Sequence, residues 1–491
     1  MITSDIITLK HADKLFIGGQ WIAAEKGQSI EVVAPHLEEV VGIVAEATEA
    51  DMDKAVAAAR TAFDQGGWPQ LSPEERGAYL GKLQGELAQR MPELAEAMTL
   101  QIGALASSGP MMAGLGLHLL DFYAKGADGF KFAEQAPPSD GQGAAVIAHE
   151  AVGVVAAIAP WNAPFSTMMN KISPALLAGC TVILKPAPET PIEAYIIAEA
   201  AEAAGFPAGV INLVTGNREA SDHLICNDGI DKVSFTGSTA VGQRIGAVCG
   251  GRIARCALEL GGKSAAIILD DYDLVAAAKT LAGVVTTSCG QVCVNLSRVV
   301  IPKARHDDFV AALKTEMEAI KVGSPTDPES QMGSLAMKRQ RDRVEGYIAK
   351  GVEEGATLVC GGDRPDIDKG YYINPTVFSN VTSDMTIAQE EIFGPVVCVL
   401  PCEDEADAIR IANDSQFGLY GAVLTNDTDK AYKFARSIRT GAYAQNGFRL
   451  DFFLPFGGFK MSGIGREGGI SGIKTFTEVK TILLDALPAS L

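Results

Sequence analysis

The sequence predicts a mixed α/β protein of more than one domain, built on parallel β-sheets. Its 491 residues are too many for a single hydrophobic core. Hydrophobic residues make up 47% of the chain and aromatic residues only 7%, and the 52 glycines fit a chain punctuated by loops. From about residue 150 onward, short apolar runs alternate with amphipathic helical stretches, which is typical of parallel sheets.

The first part of the chain is predicted to begin as β-structure and to continue as helices. Residues 14–21 alternate in hydrophobicity and predict a hairpin, and residues 30–33 predict a short strand. From about residue 48 to residue 130 the apolar residues take a helical spacing. Ser72 followed by Pro73 has the form of a helix N-terminus.

After residue 150, strands and helices are predicted to alternate. The apolar run 152–158 suits a central strand, and helices are predicted at 173–179 and 191–205. The other predicted strands are 180–185, 210–214, 232–235, 265–269, 298–301, 396–399 and a late strand at 475–482.

Composition excludes several classes of protein. The net charge of −19, from 60 acidic and 41 basic residues, argues against a nucleic-acid-binding surface. The odd count of nine cysteines fits reduced thiols, and the six scattered histidines predict no metal site. No signal peptide is predicted, and the longest apolar run, 151–165, is broken by prolines and too short for a bilayer. We therefore expect a soluble, cytoplasmic protein without membrane contact.

The stretch from Gly290 to Arg298 contains the candidate nucleophile, Cys293. A lone cysteine is usually a buried packing residue, so a nucleophile needs a base and hydrogen-bond donors nearby. Other segments supply these groups: Glu259 offers a carboxylate before Leu-Gly-Gly-Lys, and Asn162 offers an amide that can donate to an oxyanion.

In order and spacing, these segments resemble the motifs of the aldehyde dehydrogenase superfamily over nearly the whole chain. The resemblance implies that Cys293 is the nucleophile, Glu259 the base and Asn162 a donor to the oxyanion. It also matches Lys171 and Glu467 to positions that relay protons from the base. A structural ion pair is an equal alternative for those two residues.

The resemblance further implies a three-part architecture. A doubly wound cofactor domain and an α/β catalytic domain are joined by a small β oligomerisation arm, which implies a homodimer or homotetramer. The turn cluster at 137–143 is equally well explained as a surface loop or as part of that arm. The implied boundaries are 1–127 and 150–261 for the cofactor domain, 262–476 for the catalytic domain, and 128–149 and 477–491 for the arm.

The cofactor site has no common fingerprint. No G-x-G-x-x-G follows a strand, and the Walker-type spacing at 237–242 lacks the Lys-Ser/Thr that a triphosphate site requires. The resemblance implies that Ser238 contacts a pyrophosphate, Lys185 the adenosine ribose and Glu391 the nicotinamide ribose, with Trp161 and Phe393 beside the nicotinamide. It also assigns to cofactor binding Ile158, Pro160, Gly216, Phe235, Gly237 and Leu260.

One departure from the family pattern concerns the choice of cofactor. Many NAD-using members carry Glu three residues after the ribose-binding lysine, whereas this chain has Pro188 there and Glu189 one residue later. Proline offers no acceptor for the ribose hydroxyls and does not repel a 2′-phosphate. The sequence favours NAD and leaves NADP open.

The substrate pocket implied by the resemblance includes Thr167, Val292, Val294, Phe448 and Phe456. Several pocket positions are small and the 448–456 loop is aromatic, which favours a bulky apolar aldehyde. Arg449 could instead meet a carboxylate. Cys289 is predicted to be a packing residue.

The resulting prediction is an NAD(P)-dependent oxidation of an aldehyde to the carboxylic acid through a thiohemiacetal and a thioester on Cys293. Two alternatives stay open: an enzyme that passes the acyl group to coenzyme A, and a catalytically silent binding or structural relative. Glu259 argues for hydrolysis, because a base of this kind is useful when water is the acceptor.

Overall fold

The structure is a computed structural model that describes residues 2–489. The strands are β1 Lys14–Ile17, β2 Gln20–Ala23, β3 Ser29–Ala34, β4 Glu39–Ala45, β5 Ala133–Ala136, β6 Ala144–Ala151, β7 Val154–Ile158, β8 Thr181–Lys185, β9 Ile211–Leu213, β10 Lys232–Thr236, β11 Arg255–Glu259, β12 Ala265–Ile268, β13 Arg298–Pro302, β14 Thr357–Cys360, β15 Thr376–Ser379, β16 Val396–Cys402, β17 Gly421–Leu424, β18 Ala444–Gln445, β19 Gly463–Ile464 and β20 Thr477–Leu484.

The helices alternate with these strands after β7, as predicted. They are α1 Glu49–Asp64, α2 Pro73–Gln89, α3 Met91–Ile102, α4 Gly109–Ala124, α5 Pro164–Ala178, α6 Ile192–Ala203, α7 Arg218–Cys226, α8 Thr239–Gly251, α9 Leu274–Thr286, α10 His306–Glu318, α11 Lys338–Glu353, α12 Thr386–Gln389, α13 Glu405–Asn413, α14 Thr428–Ser437 and α15 Gly469–Lys474. Among residues 2–489, none of these helices has the length and apolar character needed to cross a bilayer.

The larger sheet has eight strands in the order β19-β11-β10-β7-β8-β9-β1-β2. Strands β11, β10, β7, β8 and β9 are parallel, whereas β19 and the β1–β2 hairpin add antiparallel edges. Every residue of β7 is buried, which explains the uninterrupted apolar run predicted to be a central strand. The edge strand β19 comes from much later in the chain than its neighbour β11.

The order of this sheet creates a crevice at its carboxyl edge. The chain moves from β7 to β8 and β9 on one side and then crosses to β10 and β11 on the other side of β7. Ligands of open α/β sheets bind where the strand order reverses in this way, here beyond the carboxyl ends of β7 and β10.

The second sheet has seven strands in the order β14-β15-β16-β13-β12-β17-β18, all parallel except β14. A third sheet pairs β6 with β5 and with the C-terminal strand β20, in antiparallel register from Thr477 opposite Ala151 to Leu484 opposite Ala144. The turn cluster at 137–143 connects β5 to β6. It is therefore the loop of a hairpin whose inner strand pairs with the chain's own C-terminal strand.

Helices α2 and α5 show that some helices are set by local hydrogen bonds and others by tertiary packing. Ser72 caps α2 as predicted, because its hydroxyl accepts from the Glu75 N–H and the Glu75 carboxylate accepts from the Ser72 N–H. Helix α5 begins at Pro164 and continues through Pro174, whereas the prediction placed a helix only at 173–179. Almost all of α5 is buried, so tertiary packing offsets the backbone hydrogen bond lost at the internal proline.

Candidate active site

Cys293 lies in a tight turn between α9 and β13. The Asn295 N–H donates to the Val292 carbonyl at 3.0 Å and closes the turn around the cysteine. The thiol is half-buried, and the Cys293 N–H has no acceptor on another described residue. Just before the turn, Ser288, Cys289 and Gly290 have φ of 48°, 56° and 73°, and a side chain at Gly290 would collide with the Gly394 carbonyl. This left-handed segment presents the thiol and its free N–H to the crevice.

Asn162, between β7 and α5, is tied to the same loop. Its Nδ2 donates to the Gln291 carbonyl at 2.9 Å. Gln291 is itself buried, and its amide donates to the Ser288 carbonyl and accepts from the Ala336 N–H. One of the two amide hydrogens of Asn162 is thereby used for positioning, and the other is left to donate to an oxygen atom beside Cys293.

Glu259 is the last residue of β11 and is only 3% exposed. Neither of its carboxylate oxygens has a hydrogen-bond partner among the described residues. Burial raises the pKa of Glu259 well above its ordinary value and the charge of Glu467 raises it further, while Lys171 and Arg466 oppose this. A buried carboxyl group with raised basicity and free oxygens is suited to take a proton.

The two glycines after Leu260 let three functional segments meet. A side chain at Gly261 would collide with the Glu391 carboxylate, and one at Gly262 would collide with the Cys293 carbonyl. The Gly262 N–H donates to Glu391 Oε1 at 3.0 Å. Burial raises the pKa of Glu391 to about 7. The Gly-Gly pair is therefore a close-packing requirement of the site.

Lys171 and Glu467 form a buried ion pair behind Glu259. The Nζ of Lys171 lies 2.5 Å from Glu467 Oε1, and Asn170 Nδ2 donates to Glu467 Oε2 at 3.1 Å. The Ser234 hydroxyl lies 3.5 Å from both Lys171 Nζ and Glu467 Oε1. This network can hold a proton near Glu259, and it also satisfies a buried charge pair.

The environment of Cys293 favours the protonated thiol over the thiolate. Burial raises its pKa to about 12, and the nearby carboxylates of Glu391 and Glu259 raise it too, although the N–H groups of Val294 and Cys293 lower it. Because the thiolate is the nucleophilic form, attack by Cys293 requires a base that removes the proton.

An inner cavity of about 280 Å³ brings most of the predicted site residues together. The predicted residues that line it are Pro160, Trp161, Asn162, Thr167, Gly237, Ser238, Glu259, Leu260, Val292, Cys293, Val294, Glu391, Phe393, Phe456 and Glu467. Lys171 does not line the inner cavity and reaches it through Glu467. Ile158, Lys185, Gly216 and Phe235 lie outside its lining, at or near the carboxyl ends of β7, β8, β9 and β10.

An outer cavity of about 670 Å³ adjoins the inner one and contains the remaining predicted pocket residue, Phe448. Both cavities share a ring of residues: Leu115, Asn162, Ala163, Ser166, Val292, Leu450 and Phe452. Three methionines also line the outer cavity, Met111, Met112 and Met332. Cys289 faces this outer cavity, and the Arg449 side chain lines neither cavity.

The inner cavity is lined by groups that suit a dinucleotide. Ser238 caps α8, and the first-turn N–H groups of that helix adjoin Gly237 and Ser238 at the cavity wall. The rings of Trp161 and Phe393 meet edge to face at 5.3 Å on the same wall as the acceptor Glu391. An anion site, an aromatic wall and a hydroxyl acceptor are groups that a dinucleotide site uses.

The sequence reasoning missed two residues of α11. Gln340 and Arg343 line the inner cavity and hold the loop that contains Glu391 and Phe393. Gln340 Nε2 donates to the Phe393 carbonyl at 2.7 Å, and Arg343 donates to the Glu391 carbonyl at 2.7 Å. The spacing of three places both side chains on one helix face. No signal in the sequence points to that loop, which is far away along the chain.

Comparisons with a family profile, with related sequences and with solved structures all point to the same family. The profile of the aldehyde dehydrogenase family matches residues 21–482. The chain is 40% identical over 479 residues to a geranial dehydrogenase of Castellaniella defragrans, covering 97% of this chain and 100% of that protein.

Two solved structures superpose on nearly the whole chain. A Mycobacterium tuberculosis aldehyde dehydrogenase complexed with NAD+ has a TM-score of 0.94 and 46% identity, covering 97% of this chain and 99% of that one. A cysteine-to-alanine mutant of aldehyde dehydrogenase C from Pseudomonas syringae, in complex with NAD+ and octanal, has a TM-score of 0.94 and 37% identity, with 100% of both chains covered. These superpositions confirm the predicted fold class.

Proposed function

The chain belongs to the aldehyde dehydrogenase family and is an NAD-dependent enzyme, and we propose that Cys293 is the nucleophile with which it oxidises an aldehyde. The supporting observation is that Cys293 and Glu259 line one inner cavity, with both Glu259 oxygens free of protein partners. The use of NAD as cofactor is confirmed, whereas the contacts of individual residues with NAD remain part of this proposal.

The residues divide the chemistry as follows. Glu259 takes the proton of the Cys293 thiol, the sulfur bonds to the aldehyde carbon, and the carbonyl oxygen becomes an alkoxide. Asn162 and the Cys293 N–H donate to that oxygen, each contributing about 3 kcal/mol. NAD, when bound, would supply the acceptor for the hydride that leaves the substrate carbon with its electron pair, and the C=O bond re-forms as a thioester on Cys293.

Hydrolysis completes the cycle on the same residues. Water adds to the thioester while Glu259 takes its proton, and the carbon–sulfur bond then breaks to release the carboxylic acid and the thiolate. We assign to Lys171 and Glu467 the removal of the proton from Glu259, because their bonded pair adjoins it. Burial of Glu259 beside Cys293 favours water over coenzyme A as the acyl acceptor.

The substrate we propose is a long or bulky apolar aldehyde. The outer cavity is large, adjoins the inner cavity through a shared and mostly apolar ring, and includes three flexible methionines in its lining. The side chain of Arg449 faces neither cavity, so it offers no partner for a substrate carboxylate. The related protein named for geranial and the related structure containing octanal are consistent with such a substrate.

Two measurements test this function. Cys293→Ala should abolish aldehyde oxidation without changing the fold or NAD binding, because only the nucleophile is lost. Retained activity would move the nucleophile elsewhere, with Cys289 the next candidate.

In a series of linear aldehydes, kcat/KM should rise by up to about fourfold per added methylene, the equivalent of ~0.8 kcal/mol of burial. A preference for short or charged aldehydes would refute the apolar pocket, and a requirement for coenzyme A would refute hydrolysis.

Assembly, location and domain division also remain proposals. The edge strand β20 exposes Val479 at 63% and Leu483 at 72%, which suits pairing in a homodimer or homotetramer.

All nine cysteines are free thiols, as expected in the reducing cytoplasm. The eight-, seven- and three-stranded sheets are compatible with the boundaries predicted from the sequence, except that β19 joins the edge of the eight-stranded sheet. Among residues 2–489, no group of His, Cys, Asp or Glu side chains is suited to holding a metal ion.

A further inference from the structure

Helix α8 packs closely on strand β11 because two glycines of the helix face the strand. A side chain at Gly242 would collide with the Leu260 side chain, and one at Gly246 would contact Leu258 Cδ1 at 3.8 Å. The helix and the strand therefore run in opposite directions, and one turn along α8 corresponds to two residues back along β11. This register determines which residues meet at the end of α8, away from the crevice.

The next pair in this register consists of two cysteines. Cys249 follows Gly246 by one helical turn on α8. Cys256 lies on β11 and points to the same side of the sheet as Leu258, because side chains alternate along a strand. Cys249 belongs to the buried cluster between helix and sheet, and Cys256 packs against that cluster. The chain turns back tightly between them, since the Ala254 N–H donates to the Cys249 carbonyl at 2.9 Å. The two thiols are therefore neighbours, and both are free.

The two thiols differ in accessibility and in acidity. Cys256 is half-buried, whereas Cys249 is only 1% exposed. The hydrogen bond with the Cys249 thiol lowers the pKa of Cys256, and the ammonium group of Lys232 lowers it further, while burial opposes both. The same hydrogen bond and burial raise the pKa of Cys249. Cys256 is thus the thiol that more readily becomes a nucleophilic thiolate, and a second thiol lies beside it.

We propose that Cys249 and Cys256 are a redox-active dithiol, a modification site at which hydrogen peroxide forms a reversible disulfide. The inference goes beyond the proposed function and does not depend on it, because neither cysteine lines the inner or the outer cavity. The bridge would link the end of α8 to the start of β11 and close the short loop 249–256.

The oxidation is balanced by one molecule of peroxide. The Cys256 thiolate attacks a peroxide oxygen, the O–O bond breaks, and a sulfenic acid forms on Cys256 while the released hydroxide takes up the thiol proton as water. The Cys249 sulfur then attacks the Cys256 sulfur, and the displaced hydroxyl leaves with the Cys249 proton as a second water. Two thiols are oxidised to one disulfide and the peroxide is reduced to two waters. A dithiol reductant reverses the bridge by thiol–disulfide exchange.

The catalytic residues should be little affected by this bridge. Burial and the nearby carboxylates raise the pKa of Cys293 to about 12, so Cys293 is a poorer nucleophile for peroxide than Cys256. Glu259 also lies on β11, but the alternation of side chains places it on the opposite face of the strand from Cys256. The disulfide form should therefore still oxidise aldehydes.

The test treats the reduced full-length protein with one equivalent of hydrogen peroxide and then alkylates the remaining thiols with N-ethylmaleimide under denaturing conditions. The oxidised protein should carry two fewer alkyl groups, and dithiothreitol should restore both. Trypsin cuts between the cysteines at Arg252 and Arg255, so mass spectrometry should find the Cys249 and Cys256 peptides joined by a disulfide.

Three variants assign the two roles. In Cys249→Ser the sulfenic acid on Cys256 has no partner, so dimedone should label Cys256. In Cys256→Ser no bridge should form and dimedone should not label Cys249. Cys360→Ser, which removes another half-buried cysteine on the other large sheet, is the matched control and should form the bridge as the wild type does.

Several outcomes would overturn the inference. Peroxide might be expected to oxidise any thiol, so a bridge between another pair of cysteines, or oxidation of Cys293 while Cys256 remains alkylated, would show that this pair is not the site. A loss of aldehyde oxidation that follows bridge formation and is absent from Cys256→Ser would contradict its separation from catalysis. The mapping of the wild type requires no variant, so it decides the question even if a serine variant folds poorly.

Discussion

Replacing Glu259 by glutamine separates the two halves of the proposed reaction. The substitution keeps the size and shape of the side chain and removes its ability to take a proton. Neither oxygen of Glu259 accepts a hydrogen bond from a described residue, so the amide breaks no native contact. The site already disfavours a charge, since burial and Glu467 raise the pKa of Glu259. A neutral amide should therefore leave the fold at least as stable.

The size of the effect differs between the two steps. In the first step the variant loses the base that deprotonates Cys293, but it also loses a negative charge that raises the pKa of the thiol. These changes oppose each other. In hydrolysis only the loss of the base matters, and general base catalysis contributes a factor of about 10²–10⁴ in rate. Hydrolysis should therefore slow by about hundredfold or more, while the first hydride transfer slows much less.

The assay is rapid mixing of the enzyme and NAD with excess octanal, followed by NADH absorbance. Glu259→Gln should give a burst close to one NADH per active site and then nearly stop, because the thioester accumulates. Hydroxylamine should restore turnover, since it attacks the thioester without a base. Glu193→Gln, another buried carboxyl group on α6, is the matched control and should turn over normally.

Two results would refute this reasoning. An unchanged steady-state rate would remove Glu259 from the mechanism. A loss of the burst in proportion to the steady-state rate would assign Glu259 to activation of Cys293 and leave hydrolysis to another base. Mass spectrometry of the stalled variant would show the acyl group on the peptide containing Cys293.

Three further predictions follow from the site and its surroundings. Asn162→Ala should lower kcat about hundredfold with little change in the KM for NAD, because it removes one donor worth about 3 kcal/mol to the alkoxide; an effect on KM alone would make Asn162 a binding residue. Pro188→Glu should lower KM for NAD and raise KM for NADP through charge repulsion; an unchanged ratio would mean that residue 188 does not face the ribose. Burial raises the pKa of Glu193 to about 7, so the wild type should lose stability as the pH rises from about 4.5 through about 7. Above that range Glu193→Gln should be more stable than the wild type by about 3 kcal/mol. Thermal unfolding of both proteins at about pH 5 and pH 8 checks this, and equal unfolding midpoints of the two proteins at both pH values would refute it.

The sequence by itself was sufficient for the family and the fold class, and it favoured NAD while leaving NADP open. The motifs around Cys293, Glu259 and Asn162 are short and legible in the sequence: a thiol in a glycine-led turn, a carboxylate before two glycines, an amide between prolines. Their shared order and spacing along the chain indicated the family. The apolar run that became β7 was also readable, because a strand buried on both faces has no alternation to misinterpret. Local chemistry of this kind survives without knowledge of what packs against it.

Other features depended on residues that meet only in three dimensions. Burial makes Glu259 a stronger base, and part of that burial comes from the distant segment at Gly457, where a side chain would collide with Glu259 Oε1. The continuation of α5 through Pro174 reflects packing on nearly all sides of the helix, which outweighs the cost of this internal proline. Two contacts of α11 join residues far apart in the chain. Arg343 donates to the Glu391 carbonyl, and Arg339 donates to the Glu189 carboxylate. Hydrophobic periodicity records which face of an element is buried, but it does not record which distant side chain will lie opposite, and hydrogen bonds and pKa shifts depend on that neighbour.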